Sequence, residues 1–304
     1  MIKLKGVSKL FGDFHALDEV SAEIQDSSIY GLIGYNGAGK TTLLNIISGL
    51  YKSSSGEVRI ELDGELLDPF DNVRVKHNLF YVSDDPYFIP NASLYSMRDF
   101  YCGFYRSFSN ESFEKLVKLF KLDPYKRIAD FSKGMKRQAA IILGMSTRVK
   151  YLLLDESFDG LDPAVRVLVS NLLTEYLLEV GATIIVASHN LYELENIYDT
   201  IGMINGKRLI FSRDIDEIRS GVFKYRAVMS TPIAEASLAE LSLKSFSRDG
   251  NIHTFVCERS EDEVKAALSS LGELLLLESC PLSLSEIFNA EIGEGDERIE
   301  GIFE

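Results

Sequence analysis

Two short stretches carry residue types and spacings that could act on phosphate. Gly34-Tyr35-Asn36-Gly37-Ala38-Gly39-Lys40-Thr41 fits the pattern G-x-x-x-x-G-K-[ST], and Thr42 follows it. Glycines so placed let backbone N–H groups turn inward around phosphate oxygens, helped by the N-terminus of a following helix. Asn36, Gly37, Ala38, Gly39, Lys40, Thr41 and Thr42 are therefore the expected nucleotide contacts. Lys40 would bring its charge to the β- and γ-phosphates, and Thr41 would offer a hydroxyl to Mg2+. The second stretch, Tyr151-Leu152-Leu153-Leu154-Asp155-Glu156, is an apolar run ending in two acids. At the end of a buried strand Asp155 can hold Mg2+ through water, and Glu156 can polarise an attacking water. The bland alternative, two solvated acids at a strand end, loses weight once the glycine-rich loop is present.

These residues need a scaffold, and the hydrophobic pattern supplies one. Strand-like runs occur at Ile29–Gly34, Glu57–Leu62, Asn78–Ser83, Tyr151–Glu156 and Ala182–Ser188. The last two are continuously apolar, as for strands buried on both faces of a parallel sheet. Helical patterns at Thr41–Leu50, Pro163–Val180 and Leu191–Tyr198 separate them. Such alternation predicts an α/β fold with ligands at the carboxyl ends of the strands. Residues 86–150 read instead as an inserted, aromatic-rich helical subdomain, whose Phe100, Tyr101, Phe104, Tyr105 and Phe108 suit packing. A hairpin with Asn205-Gly206 at its turn closes this part near Ser212. After a linker at 213–222, residues 223–304 read strand, helix, strand, strand, helix, strand. From Glu291 the pattern is that of an acidic, weakly ordered tail.

Bulk composition removes several classes of function. The 304 residues are 46% hydrophobic, which suits an ordinary globular chain of about two domains. No stretch approaches the roughly 18 apolar residues of a membrane span. The N-terminus MIKLKGVSKLFGDF has no secretory apolar core. A soluble, cytoplasmic chain is expected, with any membrane role coming through a partner. Cys102, Cys257 and Cys280 have neither metal-ligand spacing nor a disulfide framework. The net charge is −14, and Glu261–Glu304 holds 12 acidic residues against 2 basic ones. A surface of that sign repels nucleic acid and anionic lipid, so neither is an expected ligand.

Further motifs complete a resemblance. Phe131-Ser132-Lys133-Gly134-Met135-Lys136-Arg137-Gln138 resembles the signature motif of ABC (ATP-binding cassette) ATPases, in the S-K-G-M variant of some exporters. Ser157-Phe158-Asp159-Gly160-Leu161-Asp162 resembles the D-loop, and Ser188-His189 resembles the switch histidine. Phe11 stands where the family stacks an aromatic on adenine. The resemblance covers Met1–Ser212 and implies a P-loop ABC cassette at 1–212. Such a cassette has a mainly parallel sheet core, an antiparallel β subdomain and a helical subdomain. A small accessory α+β domain follows it here.

ATP and Mg2+ are the implied cofactors, with Glu156 and His189 catalytic and Thr41, Asp84 and Asp155 around the metal. Ser132, Lys133, Gly134 and Met135 would act on the ATP of a second cassette, with Asp162 in the D-loop between them. Implied partners are a second cassette and a separate permease, which would hold the chain on the cytoplasmic face of the membrane. Pro281–Phe288 resembles a stretch that closes cassettes of bacterial drug and lantibiotic efflux systems. His15, His77 and His253 have no comparable context and read as structural.

Three departures stand out. Asp84 occupies the usual place of a glutamine, Ser157-Phe158 that of Pro-Thr, and Tyr35 that of a proline. The leading expectation is the ATP-hydrolysing subunit of an exporter. A non-hydrolysing partner in a mixed transporter and a soluble ABC ATPase remain as alternatives.

Overall fold

The structure, a computed structural model, describes residues 1–190, 197–215, 217, 221–282 and 286. Most of the helix expected at Leu191–Tyr198, most of Pro281–Phe288 and the whole acidic tail lie outside the described residues. The chain divides into two compact units, Met1–Arg213 and Asp214–Glu304.

In the first unit, β1 (Ile2–Phe11), β2 (Phe14–Ile24), β4 (Ser55–Leu62) and β5 (Glu65–Leu67) form one sheet, in the order β2-β1-β4-β5. Its neighbouring strands pair antiparallel. Val58, Ile60 and Leu62 of β4 point into the core between the less buried Glu57, Arg59 and Glu61. That period of two makes one face of this sheet apolar.

The second sheet runs β10-β9-β3-β8-β7-β6. Its strands are β3 (Ile29–Ile33), β6 (Leu79–Val82), β7 (Tyr151–Asp155), β8 (Thr183–Ser188), β9 (Thr200–Asn205) and β10 (Arg208–Asp214). All residues of β3, β7 and β8 are buried, which explains why they read as unbroken apolar runs. Burying each Leu or Ile there contributes roughly 1.5–3 kcal/mol. The β9–β10 turn has both Gly206 and Lys207 at positive φ, as a two-residue hairpin turn requires.

Helices α1 (Lys40–Ile47), α2 (Val73–His77) and α6 (Pro163–Val180) connect these strands. Between β6 and β7 lie α3 (Leu94–Phe104), α4 (Asn110–Phe120) and α5 (Lys133–Ser146). Serines at 93, 109 and 132 cap these three helices by accepting a backbone N–H. The aromatics of α3 form a connected cluster in which Phe80 meets Tyr101 and Tyr105, and Phe100 meets Phe104.

The second unit holds β11 (Phe223–Met229), β12 (Ser245–Asp249), β13 (Ile252–Cys257), α7 (Glu261–Leu271) and β14 (Leu274–Cys280). Its antiparallel sheet runs β12-β13-β11-β14, the split β-α-β arrangement. The first expected helix is a 3-10 run at Glu235–Leu241, kinked where Leu238 turns into the core. His253 is fully buried there and its Nε2 accepts the Ile233 N–H at 3.0 Å. All three cysteines are free thiols.

Candidate active site

Parallel register brings four strand ends to one edge of the sheet. Ile33 pairs with Ser188, Ala187 with Asp155, and Leu154 with Val82. The residues that follow these strands, Gly34–Gly39, Asp84, Glu156 and His189, therefore emerge side by side. The loop after β3 is tightly confined. Gly39 has φ 116°, and a Cβ there would stand 2.7 Å from Leu17 Cδ2 and 2.8 Å from the Ala16 carbonyl. A Gly39→Ala chain is expected to lose roughly 2–4 kcal/mol of stability, from overpacking added to a disfavoured φ. Urea unfolding measures this, and an unchanged midpoint would reject the loop geometry.

Lys40 is buried, and its Nζ donates to the carbonyls of Gly34 at 2.6 Å and Tyr35 at 3.2 Å. It also lies 3.1 Å from Glu156 Oε1. The other oxygen, Oε2, meets His189 Nδ1 at 2.8 Å and accepts the His189 backbone N–H at 3.3 Å. Glu156 thus joins the loop after β3 to the residue after β8. It holds a left-handed backbone at φ 45°, a cost of roughly 1–2 kcal/mol, while its own N–H donates to the Ala187 carbonyl at 3.0 Å. With 11% of its side chain exposed, this carboxylate is nearly shut off from bulk water, whereas His189 is 38% exposed.

Asp155 is fully buried one residue earlier. The Tyr81 hydroxyl donates to its Oδ2 at 3.0 Å. Burial pushes the Asp155 carboxyl above its ordinary range; the Thr41 and Tyr81 hydroxyls pull it back, while Glu156 and Asp84 add to the rise. Tyr81 is pushed up in turn, first by burial and then by Asp155. Asp155 Oδ1 is buried with no hydrogen-bond partner. An orphaned carboxylate oxygen next to a threonine hydroxyl is a hard-oxygen donor set, and it fits Mg2+.

The other expected residues sit as follows. Ser132 caps α5, its Oγ accepting the Met135 N–H at 3.2 Å, and Ser132 and Lys133 are exposed. Gly134 packs so closely on the D-loop that a Cβ would stand 2.6 Å from the Gly160 carbonyl. Among the described residues, no hydrogen bond or ion pair joins Ser132–Met135 to Lys40, Thr41, Asp155 or Glu156. Asp162 caps α6, accepting the Val165 N–H at 3.0 Å. Asp84 is half exposed and ion-paired with Arg137, a residue without an expected role at the sequence level. Phe11 is 45% exposed, edge-on to Tyr51 with centroids 5.6 Å apart, and Lys9 lies over its ring. In the sequence Tyr51 carries no signal beyond its aromatic type just after α1. Asn36 and Gly37 are exposed at the loop tip, while Ala38 is buried.

Residues 17–159 match the ABC transporter family. Over 96% of its length the chain is 27% identical to the ABC transporter ATP-binding protein YtrB of Bacillus subtilis (strain 168), covering 98% of that protein. It is 27% identical to the bacitracin transport ATP-binding protein BcrA of Enterococcus faecalis, covering 97% of both chains. Among solved structures, an ATP-binding subunit of an ABC transporter aligns with TM-score 0.65 at 25% identity, over 72% of this chain and 92% of that one. A dimeric ATP-binding cassette bound to ADP and Pi shares the fold with TM-score 0.63 at 23% identity, over 71% of this chain and 99% of that one.

Proposed function

Because the chain is an ABC-type ATP-binding subunit, and by its family an ATPase, we propose that it hydrolyses Mg-ATP to power a separate membrane permease working in export. The observation that carries this is the chain of contacts Lys40–Glu156–His189 beside the orphaned Asp155 Oδ1. It supports reading Lys40 as the cation for phosphate, Glu156 as the base and Asp155 as a metal ligand at one sheet edge. The bacitracin-transport relative supports a transport role, and a peptide-like antibiotic is the cargo class in keeping with it; export rests on the likeness of Ser132–Met135 to the signature of some exporters. None of the described helices is long and apolar enough to cross a membrane, which suits a subunit that docks on a permease at its cytoplasmic face.

The roles follow from position. Backbone N–H groups from Asn36 to Thr42 bind the phosphates, and Lys40 neutralises them. Thr41 and Asp155 would hold Mg2+, with Asp84 at its margin, and the ion would supply charge neutralisation to the β- and γ-phosphates. Glu156, oriented by His189, takes a proton from the attacking water. Phe11 and Tyr51 offer aromatic faces to the adenine. Ser132 and Gly134, which touch none of these groups within the chain, close on the ATP of a second cassette, so hydrolysis needs a dimer. The contact between Glu156 and His189 favours a hydrolysing subunit over a silent partner.

Calorimetric titration of the purified chain with ATP, with Mg2+ and with EDTA, tests the reading. Binding strengthened by Mg2+ is expected, together with phosphate release that rises more than linearly with protein concentration. A chain that binds no ATP under either condition rules the proposal out.

A further inference from the structure

Arg137 is the largest fully buried side chain among the described residues, with 1% exposure. It leaves α5 one turn after Ser132 and ends between two other segments. One terminal nitrogen donates to the Asp159 carbonyl in the D-loop. The other is ion-paired with Asp84 Oδ1 and lies 3.4 Å from the Asp84 carbonyl oxygen. Its Nε is buried with no hydrogen-bond partner. A Cβ on Gly160 would stand 3.4 Å from the same guanidinium, and Gly134 already abuts the Gly160 carbonyl. The first turns of α5 therefore grip the corner at Asp159–Gly160 twice, once by packing and once through Arg137.

The other end of the fork is asymmetric. Asp84 is 53% exposed where Arg137 is buried, and its charge is felt by both Asp155 and Tyr81. Asp84 follows β6, whose Val82 pairs with Leu154 one residue before Asp155, so it leaves the sheet at the same edge as the candidate metal ligand while its carboxylate holds the guanidinium. A guanidinium cannot shed its proton, so a buried one stripped of its carboxylate must move or be repaired.

We propose that Arg137 is a positioning residue that competes with bound Mg-ATP for the Asp84 carboxylate, tying nucleotide occupancy to the contact between the α5 turn and the D-loop. The inference rests on the Mg-ATP reading above and adds a cost to it. When Asp84 turns toward bound Mg-ATP, Arg137 loses its counter-charge. The α5 turn carrying Ser132 and Gly134 is then free to leave Gly160. Without nucleotide, the ion pair holds that turn against its own D-loop. A glutamine at position 84 could not do this, because it offers Arg137 no charge.

A double-mutant cycle on the full chain decides the matter, read as the ratio of ATP dissociation constants in EDTA and in Mg2+. Arg137→Gln releases Asp84 to the metal and is expected to raise this ratio about tenfold. In an Asp84→Asn background the same substitution should change it less than about twofold, because no carboxylate is left to compete for. If Arg137→Gln does not fold, Arg137→Lys replaces it: the ammonium lacks the fork that holds Asp84 and Asp159 together, so the ratio should rise in the same direction by a smaller factor. An unmoved ratio, or an equal shift in both backgrounds, overturns the competition while leaving ATP binding intact. Failure of the unmodified chain to bind ATP removes the underlying reading instead.

Discussion

Glu156→Gln is expected to cut ATP turnover by about 10²–10⁴-fold while leaving Mg-ATP bound. Glutamine keeps the shape of the side chain and can still meet His189, but it cannot take a proton from water. It also removes the negative charge 3.1 Å from Lys40 Nζ. The ammonium is then shared only with the Gly34 and Tyr35 carbonyls and is freer to meet phosphate. ATP should therefore stay on the variant longer than on the unmodified chain. Phosphate release measures the first effect and light scattering with Mg-ATP the second. A homodimer appearing only with nucleotide means two equivalent sites that close on each other. A monomer that still binds ATP calls for a different second cassette, or for the permease. Turnover within about threefold of the unmodified chain removes Glu156 from the role of base.

The parts of this site that were legible in the sequence share one property: each lies in a local pattern. The phosphate loop has fixed internal spacing, and Asp155–Glu156 end an apolar run that had to be a buried strand. His189 follows another such run by one residue, and parallel pairing of β3, β8 and β7 places all three groups together. What stayed hidden depends on partners far apart along the chain. Arg137 and Asp84 are 53 residues apart, Tyr81 and Asp155 are 74, and no period or composition links them. The β1–β2 hairpin was equally quiet. Its turn at Gly12 has positive φ, but the strands alternate irregularly because the pairing carries register shifts. The 3-10 run at Glu235–Leu241 shows the other limit, since its composition reads as a helix while the backbone kinks at buried Leu238.

Lys40→Ala is expected to weaken Mg-ATP binding by roughly 30-fold or more, from a loss of about 2–5 kcal/mol when one partner of a buried charged contact is truncated. Two effects act in the same direction here. The variant loses the cation that would meet the β- and γ-phosphates. It also leaves Glu156, 11% exposed and next to buried Asp155, with His189 as its remaining side-chain partner. Uncompensated carboxylate charge at the mouth of the loop repels the triphosphate. Folding stability should fall as well, since a buried charge without its partner costs up to about 3–5 kcal/mol.

Combining Lys40→Ala with Glu156→Gln separates the two contributions. Removing the stranded carboxylate should restore most of the folding stability, because neither member of the pair is then charged. ATP binding should recover only in part, because the phosphates still lack their cation. Urea unfolding and ATP titration of the four chains give both cycles. If the double variant regains full ATP affinity, the effect of Lys40→Ala lay in Glu156 repulsion alone, and Lys40 is not the phosphate cation.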